Sequence, residues 1–306
     1  DRSGRYHCHR CCGRCHLFPH RHDVVGKLRH QVPLRQTPAY ALRRYPLGEA
    51  DLIIVFYTYN FGCVRSVARG ARRVRSRFGS AFQPFTQSDL VFFEKEGQDL
   101  TRVASCEVAR SFYESLLTPE SAALAAYFAE LMTEFTVERD PNPALFRLIS
   151  AVFEAVEGGI PLPVAARYFE IWMLQLSGFL PLLTSCANCG TQLEAARWAV
   201  GHPPEFVCRE CHRQFAGSRL LSPAGTALLK EILKKKPQEV AEGAGHDAQA
   251  VHRLATVNRL LIRGHIGKEL RTVRYLDRLR RGTRKLRFHV ASPTSDHPSS
   301  GRSIAH

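Results

Sequence analysis

The hydrophobic period of this chain changes once, and the change divides it. From Tyr40 to about Arg110 the apolar residues form short runs rich in β-branched and aromatic side chains, at 39–45, 51–58, 63–69, 88–95 and 102–108. Pro46-Leu47-Gly48, Asn60-Phe61-Gly62 and Gly97-Gln98-Asp99 punctuate them, as turn residues separate paired strands. Five strands in so short a stretch fit a small barrel of the OB type, which closes its own edges. An SH3-like barrel or an open sheet fits the same pattern. After Thr118 the period becomes 3.6. Leu124, Tyr127, Phe128, Leu131, Met132 and Phe135 lie on one helical face, as do Leu145, Phe146, Ile149, Val152, Phe153 and Val156.

Three helix starts are marked by a capping side chain ahead of a proline: Thr118-Pro119, Asn142-Pro143 and Ser222-Pro223. The segment 164–180 is apolar nearly all round and reads as the central buried helix, with further helices at about 223–235 and 247–263. The expected fold class is therefore α+β and multidomain: an N-terminal OB-type β barrel over 39–112, then a helical domain over 113–276. Residues 1–38 mix Arg, His, Cys and Pro without apolar periodicity and read as a disordered or mis-started extension. Residues 277–306 read as a basic disordered tail.

Charge sharpens this division. The formal net charge of +15 points to a polyanionic partner, nucleic acid first. Residues 1–38 carry +6 of it and 277–306 carry +5, which leaves +4 for the body. Within the body 39–110 is +4, 111–183 is −6 and 184–276 is +6. The acids of the middle segment (Glu114, Glu120, Glu130, Glu134, Glu138) read as a solvated helical surface. No run of about 20 uncharged apolar residues suggests a membrane span. Residues 1–20 lack an apolar stretch of the kind a secretory signal carries.

The ten cysteines form three sets. Cys8, Cys11, Cys12 and Cys15 lie in the N-terminal extension, and Cys63 and Cys106 read as small buried hydrophobes. Cys186-x2-Cys189-x18-Cys208-x2-Cys211 is the strongest motif of the chain, with spacing suited to a four-cysteine zinc site. Four thiolate ligands leave no open position for water, so such a zinc, one per chain, would be structural. It would fold a module at about 184–217 that is too small for its own core. Redox thiols, or cysteines unrelated to one another, are the other readings. His202 and His212 lie nearby and read as surface residues.

The second motif is a cluster of arginines between two expected strands. Arg69, Arg72, Arg73, Arg75 and Arg77 place five guanidiniums in nine residues, with Phe78, Phe82 and Phe85 close behind. Arginines pair with phosphates and aromatic rings stack on bases, as in single-strand binders. A solvated basic loop, or a loop paired to the acidic 111–183 segment, is the alternative. A second basic stripe runs through Arg259, Arg263, Lys268, Arg271 and Arg274, and Lys234-Lys235-Lys236 ends a helix where cations suit the dipole. Phosphate-loop, dinucleotide, zincin and nucleophile-elbow motifs are absent, so no catalytic residue is assigned.

Several stretches, in order, carry a family resemblance. Tyr40-Ala-Leu-Arg43-Arg44-Tyr45-x-Leu-Gly48-Glu49-Ala-Asp51, followed by LIIVFYT, resembles the start of the bacterial DNA repair protein RecO family. Gly70-Ala71-Arg72-Arg73-x-Arg75-Ser76-Arg77-Phe78-Gly79 with Gln83-Pro84-Phe85 is similar to its basic loop and next strand. Arg167-Tyr-Phe169-Glu170, then Gly178-Phe-x-Pro181 running into Cys186-x2-Cys189-Gly190, is similar to its later part. The resemblance covers about 39–276 and leaves the N-terminal cysteines unsupported. It implies a non-catalytic recombination mediator that binds single- and double-stranded DNA and anneals complementary strands. With RecR, such a protein assists loading of RecA onto strands coated with single-strand-binding protein. It also implies a cytoplasmic, nucleoid-associated location in a bacterium. Two other classes fit parts of the chain: a zinc-ribbon adaptor with protein partners, and a thiol oxidoreductase using one CxxC.

Overall fold

The computed structural model describes residues 33–95, 97–194, 196–242 and 247–276. The flanking extension up to residue 32, with Cys8, Cys11, Cys12 and Cys15, and the tail 277–306 lie outside the described residues. Five strands form a closed barrel: β1 (Leu34–Leu47), β2 (Asp51–Thr58), β3 (Gly62–Ala68), β4 (Gln87–Phe93) and β5 (Thr101–Arg110), in the order β1-β2-β3-β5-β4. The long β1 closes it, pairing through its first half with β4 and through its second half with β2. A bulge between Ala41 and Arg43 bends it between the two. The other closure is a short parallel pairing of β3 with β5, at Ser66–Thr101 and Val67–Arg102. The barrel thus begins at Leu34, five residues before the boundary read at 39.

Both faces of β1 and β2 are apolar because both are covered. Ala39, Ala41, Ile54, Phe56, Val64, Leu90 and Phe92 fill the barrel. Tyr40, Leu42, Val55, Tyr57 and Phe85 point outward, into the core of the helical part. A strand covered on two sides reads as a continuous hydrophobic run, which accounts for LIIVFYT. Cys63 and Cys106 are buried as expected, and burial pushes both thiols up to about 11, so they remain neutral at pH 7.

The helices are α1 (Pro119–Phe135), α2 (Pro143–Glu157), α3 (Leu162–Leu176), α4 (Pro223–Ile232), the short α5 (Pro237–Glu242) and α6 (Ala248–Ile266). All three expected caps form: Thr118 accepts from Ser121 N, Asn142 from Ala144 N and Leu145 N, and Ser222 from Gly225 N. Among the described residues no helix is long and apolar enough to cross a membrane. α3 is central, in contact with α1, α2, α4 and α6. It is not wholly apolar: Arg167 and Glu170 are buried on it as a bidentate pair, 2.7 and 2.5 Å. Tyr127 and Asn258 also donate to Glu170, at 2.8 and 2.9 Å, so its charge is fully hydrogen-bonded.

One acid expected on the surface is buried. Glu130 of α1 is 6% exposed and accepts from Arg271 N, Thr272 N and Thr272 Oγ1, capping a helical turn at 271–276. Burial works to raise this carboxyl, but the bonds from Thr272 and Arg271 outweigh it and hold it below the usual range. Its contribution is therefore complete above the unfolded-state value of about 4.3 and is lost as pH falls through the lower folded-state value. Unfolding titrations should show the wild type more stable than Glu130→Gln at pH 7, with the gap closing towards pH 3.

The connection from α1 to α2 is strapped across the barrel. Arg139 N donates to Cys63 O at 3.2 Å, Tyr57 Oη donates to Asn142 O at 3.2 Å, and Arg65 pairs with Glu138. Gly62 permits this approach: it has φ +61°, and a Cβ there would lie 2.3 Å from Asp140 O. Gly62→Ala should cost about 2–5 kcal/mol in urea unfolding, strain and overpacking together. Gly48→Ala, with φ +60° but open space around it, should cost only about 1–2 kcal/mol.

Candidate nucleic-acid interface and metal centre

The chain leaves β3 at Ala68 and folds back on the β1–β2 turn. Gly70 N donates to Asp51 Oδ1 at 2.8 Å, Arg72 N to Ala50 O at 2.9 Å, and Arg72 Nη1 to Gly48 O at 2.8 Å. Gly70 takes φ +70° to make the turn. This backbone attachment holds the arginine segment without spending its charge. Arg69, Arg72, Arg73, Arg75 and Arg77 are all exposed, and among the described residues none makes an ion pair. Several acids of 111–183 are engaged elsewhere: Glu154 and Glu157 with Arg110, Glu138 with Arg65, Glu134 with Lys268. The basic stripe near the end of the body is partly neutralised too, since Arg259 and Arg274 pair with Glu269.

The phenylalanines that follow have a different role from the stacking suggested by their position. Phe78 and Phe82 are 4% and 5% exposed and plug the barrel, with rings 4.8 Å apart and Phe82 packed edge-on to Phe56. Phe85 is fully buried against Phe153 of α2, centroids 4.5 Å apart. None of the three is open to a base. Arg77 lies over the Phe78 ring, its Cζ 4.8 Å from the centroid, so the plug and the basic loop are joined at that residue.

Barrel closure adds a residue that local sequence does not suggest. Arg102 of β5 and Arg69 line one open groove of about 620 Å³, together with the carboxylates Asp51 and Asp99 and with Leu47 and Leu100. The β1–β2 and β4–β5 connections meet there, the region with which OB barrels take up oligonucleotides. Arg102 stands 33 positions from Arg69 in sequence, and only the parallel β3–β5 pairing brings the two together.

The four cysteines of the second motif also converge. Their sulfurs all lie within 4.8 Å of one another. The first knuckle is tied by Cys186 N to Thr191 O at 2.8 Å and Gly190 N to Cys186 O at 2.9 Å, with Gly190 at φ +73°. The second follows β7 (Pro204–Val207), which pairs with β6 (Arg197–Gly201), itself paired to β8 (Arg219–Leu221). Cys208 N donates to Cys186 Sγ and Asn188 Nδ2 to Cys211 Sγ, each at 3.3 Å. Hydrogen bonds from the Thr191 side chain and backbone hold the Cys189 thiol down to about 6, whereas Cys211, despite the bond from Asn188, is pushed up to about 12 by the neighbouring Cys189. The donor set and its convergence fit a metal ion with four thiolate ligands. His212 is not among them: it stacks on Trp198, centroids 4.5 Å apart and planes within 6°.

Residues 33–112 match the family described as Recombination protein O N terminal, and 116–274 match Recombination protein O C terminal. The chain belongs to the RecO family. The DNA repair protein RecO of Koribacter versatilis is 34% identical over 252 residues, which is 80% of this chain and 99% of that protein. Those of Syntrophus aciditrophicus and Anaeromyxobacter sp. (strain K) are each 31% identical, over 80% and 78% of this chain and 96% and 94% of their own lengths. The RecO match starts at 33, where the barrel starts, and its two parts divide between β5 and α1. Phe82→Ala should cost about 3–5 kcal/mol in equilibrium unfolding, as loss of a barrel-core ring does rather than of an exposed stacking residue.

Proposed function

We propose that this chain is a DNA-binding recombination mediator that anneals complementary strands without ATP. It assists RecA loading on single strands coated with single-strand-binding protein and acts with RecR, in the bacterial cytoplasm at the nucleoid. The observation that carries this reading is the set of five exposed guanidiniums on one barrel loop, none of them ion-paired among the described residues, next to the groove that Arg69 and Arg102 line with Asp51 and Asp99. Strands of like charge repel, and counterions condensed on them must be released before bases meet. Guanidiniums that face phosphates of two strands at once lower that repulsion, and pairing of the bases then follows from the strands themselves. No covalent step is involved, and single- and double-stranded DNA both present the phosphates such a surface recognises.

The metal in this reading is zinc, held by Cys186, Cys189, Cys208 and Cys211 at one per chain. It supplies a structural cross-link with all four positions taken by protein. Within 184–217 Leu193, Ala199, Val200, Phe206 and Val207 are buried against the helices, but the turns at 187–190 and 209–210 are exposed, and the ion would hold those two turns together. Reversal of Arg72, Arg73 and Arg75 together to Glu in the full chain should slow annealing of complementary strands by more than about tenfold. The melting temperature should fall only slightly, because the three side chains are exposed and only Arg72 gives up a hydrogen bond, the one to Gly48 O. Unaltered annealing by that variant would remove the loop from the reading, and metal analysis far from one zinc per chain would remove the ion.

A further inference from the structure

Among the described residues two arginines are buried, and they are treated differently. Arg167 faces Glu170. Arg197, at 1% exposure the largest of the fully buried side chains, faces no carboxylate. Its Nη1 donates to Leu183 O at 2.6 Å and its Nη2 to Glu194 O at 3.0 Å, while Nε has no partner. Burial alone draws its pKa below the ordinary value. A guanidinium kept in the interior without a counter-charge is costly, and Met or Leu would fill the space at less cost. What those residues lack is a rigid fork that binds two carbonyls at once.

The two carbonyls flank the first metal knuckle. Between them the chain forms a small hairpin, with Leu193 N on Thr184 O at 2.9 Å, a bridge of Ser185 to Gln192, and Cys186 N on Thr191 O. The hairpin carries Cys186 and Cys189 at its tip, and Arg197 spans its base. Arg197 itself is fixed from behind: it pairs with Leu221 in β8, and its strand lies against α6, where Gly201 and Gly264 meet at backbone distance. Arg197 thus ties the base of the hairpin to the body, while Ala187 N on Phe206 O at 3.1 Å and the buried Leu193 hold its upper part.

We propose that Arg197 is a positioning residue for the metal centre, holding the base of the Cys186–Cys189 hairpin so that its thiolates face Cys208 and Cys211. This rests on the zinc reading above. The fork's two bonds stabilise the chain only while the hairpin is folded, and zinc is what keeps it folded. The contribution of Arg197 therefore depends on metal, unlike that of an ordinary core residue.

The test uses the full chain as wild type, Arg197→Met and Arg197→Lys. Zinc affinity is measured by competition with a chromophoric chelator, and melting temperature both with zinc and with excess EDTA. Arg197→Met should bind zinc about 10–100-fold more weakly, the range seen when groups that orient metal ligands are removed. Arg197→Lys, which keeps a cation but not the fork, should fall between. In EDTA Arg197→Met should melt no lower than the wild type, so that its deficit appears only with zinc. Equal zinc affinity in wild type and Arg197→Met would overturn the proposal, as would an equal loss of melting temperature with and without metal. If Arg197→Met does not accumulate folded, Arg197→Lys gives the same comparison, and wild-type affinity in it would overturn the proposal. A wild type that takes up no zinc would sink the zinc reading and this inference together, whereas zinc binding unaltered by either variant sinks the inference alone.

Discussion

Phe153 of α2 is the ring on which barrel and bundle meet. Phe85, entering from the barrel, packs on it with centroids 4.5 Å apart, Phe112 at the barrel's exit lies 5.3 Å away, and Phe128 of α1 lies 6.1 Å away. Tyr40 repeats the contact two turns along α2, on Phe146 at 4.7 Å, and its hydroxyl bonds Ser150 at 2.6 Å. Each such aromatic pair contributes about 0.5–1.5 kcal/mol beyond the area it buries. The seam makes one hydrophobic core of the barrel's outer face and the helices. With that face covered, the barrel can meet a ligand only on its remaining surface, which is where the arginine loop and the groove lie.

The loop is made available by where the acids go. Net negative charge behind a basic loop would ordinarily draw the arginines in and cancel them. Here Glu154 and Glu157 hold Arg110, Glu138 holds Arg65, and Glu130 and Glu170 are consumed inside the bundle. The loop is instead anchored by Gly70 N, Arg72 N and a single guanidinium nitrogen of Arg72. Backbone attachment fixes position while leaving charge free, a combination that suits a surface meant for phosphates.

Features set by neighbours in sequence were legible from it. The strands from β2 to β5, the three proline-led caps and each CxxC pair depend on residues a few positions apart, and they are found within a residue or two of where the local pattern puts them. Features set by distant neighbours were not. Glu130 reads as a surface acid because its partners Arg271 and Thr272 lie about 140 positions on. Arg102 reads as an ordinary strand residue until β3 and β5 pair. Phe78 and Phe82 follow the arginines as stacking residues would, yet an open barrel end needs a plug and takes them first. The six-residue α5 is too short to show a period, and the first half of β1 contains Pro38 and polar residues that disguise it.

The claim that the barrel loop is the site of phosphate contact is tested most directly by the salt dependence of binding. The slope of log affinity against log salt, measured for the full chain on single-stranded DNA, counts the phosphates neutralised. Replacement of all five arginines, Arg69, Arg72, Arg73, Arg75 and Arg77, by glutamine should flatten that slope by about 3–4, at about 0.7 per lost contact. A slope that stays the same, with affinity unchanged, would place the phosphate contacts elsewhere on the chain and contradict the account.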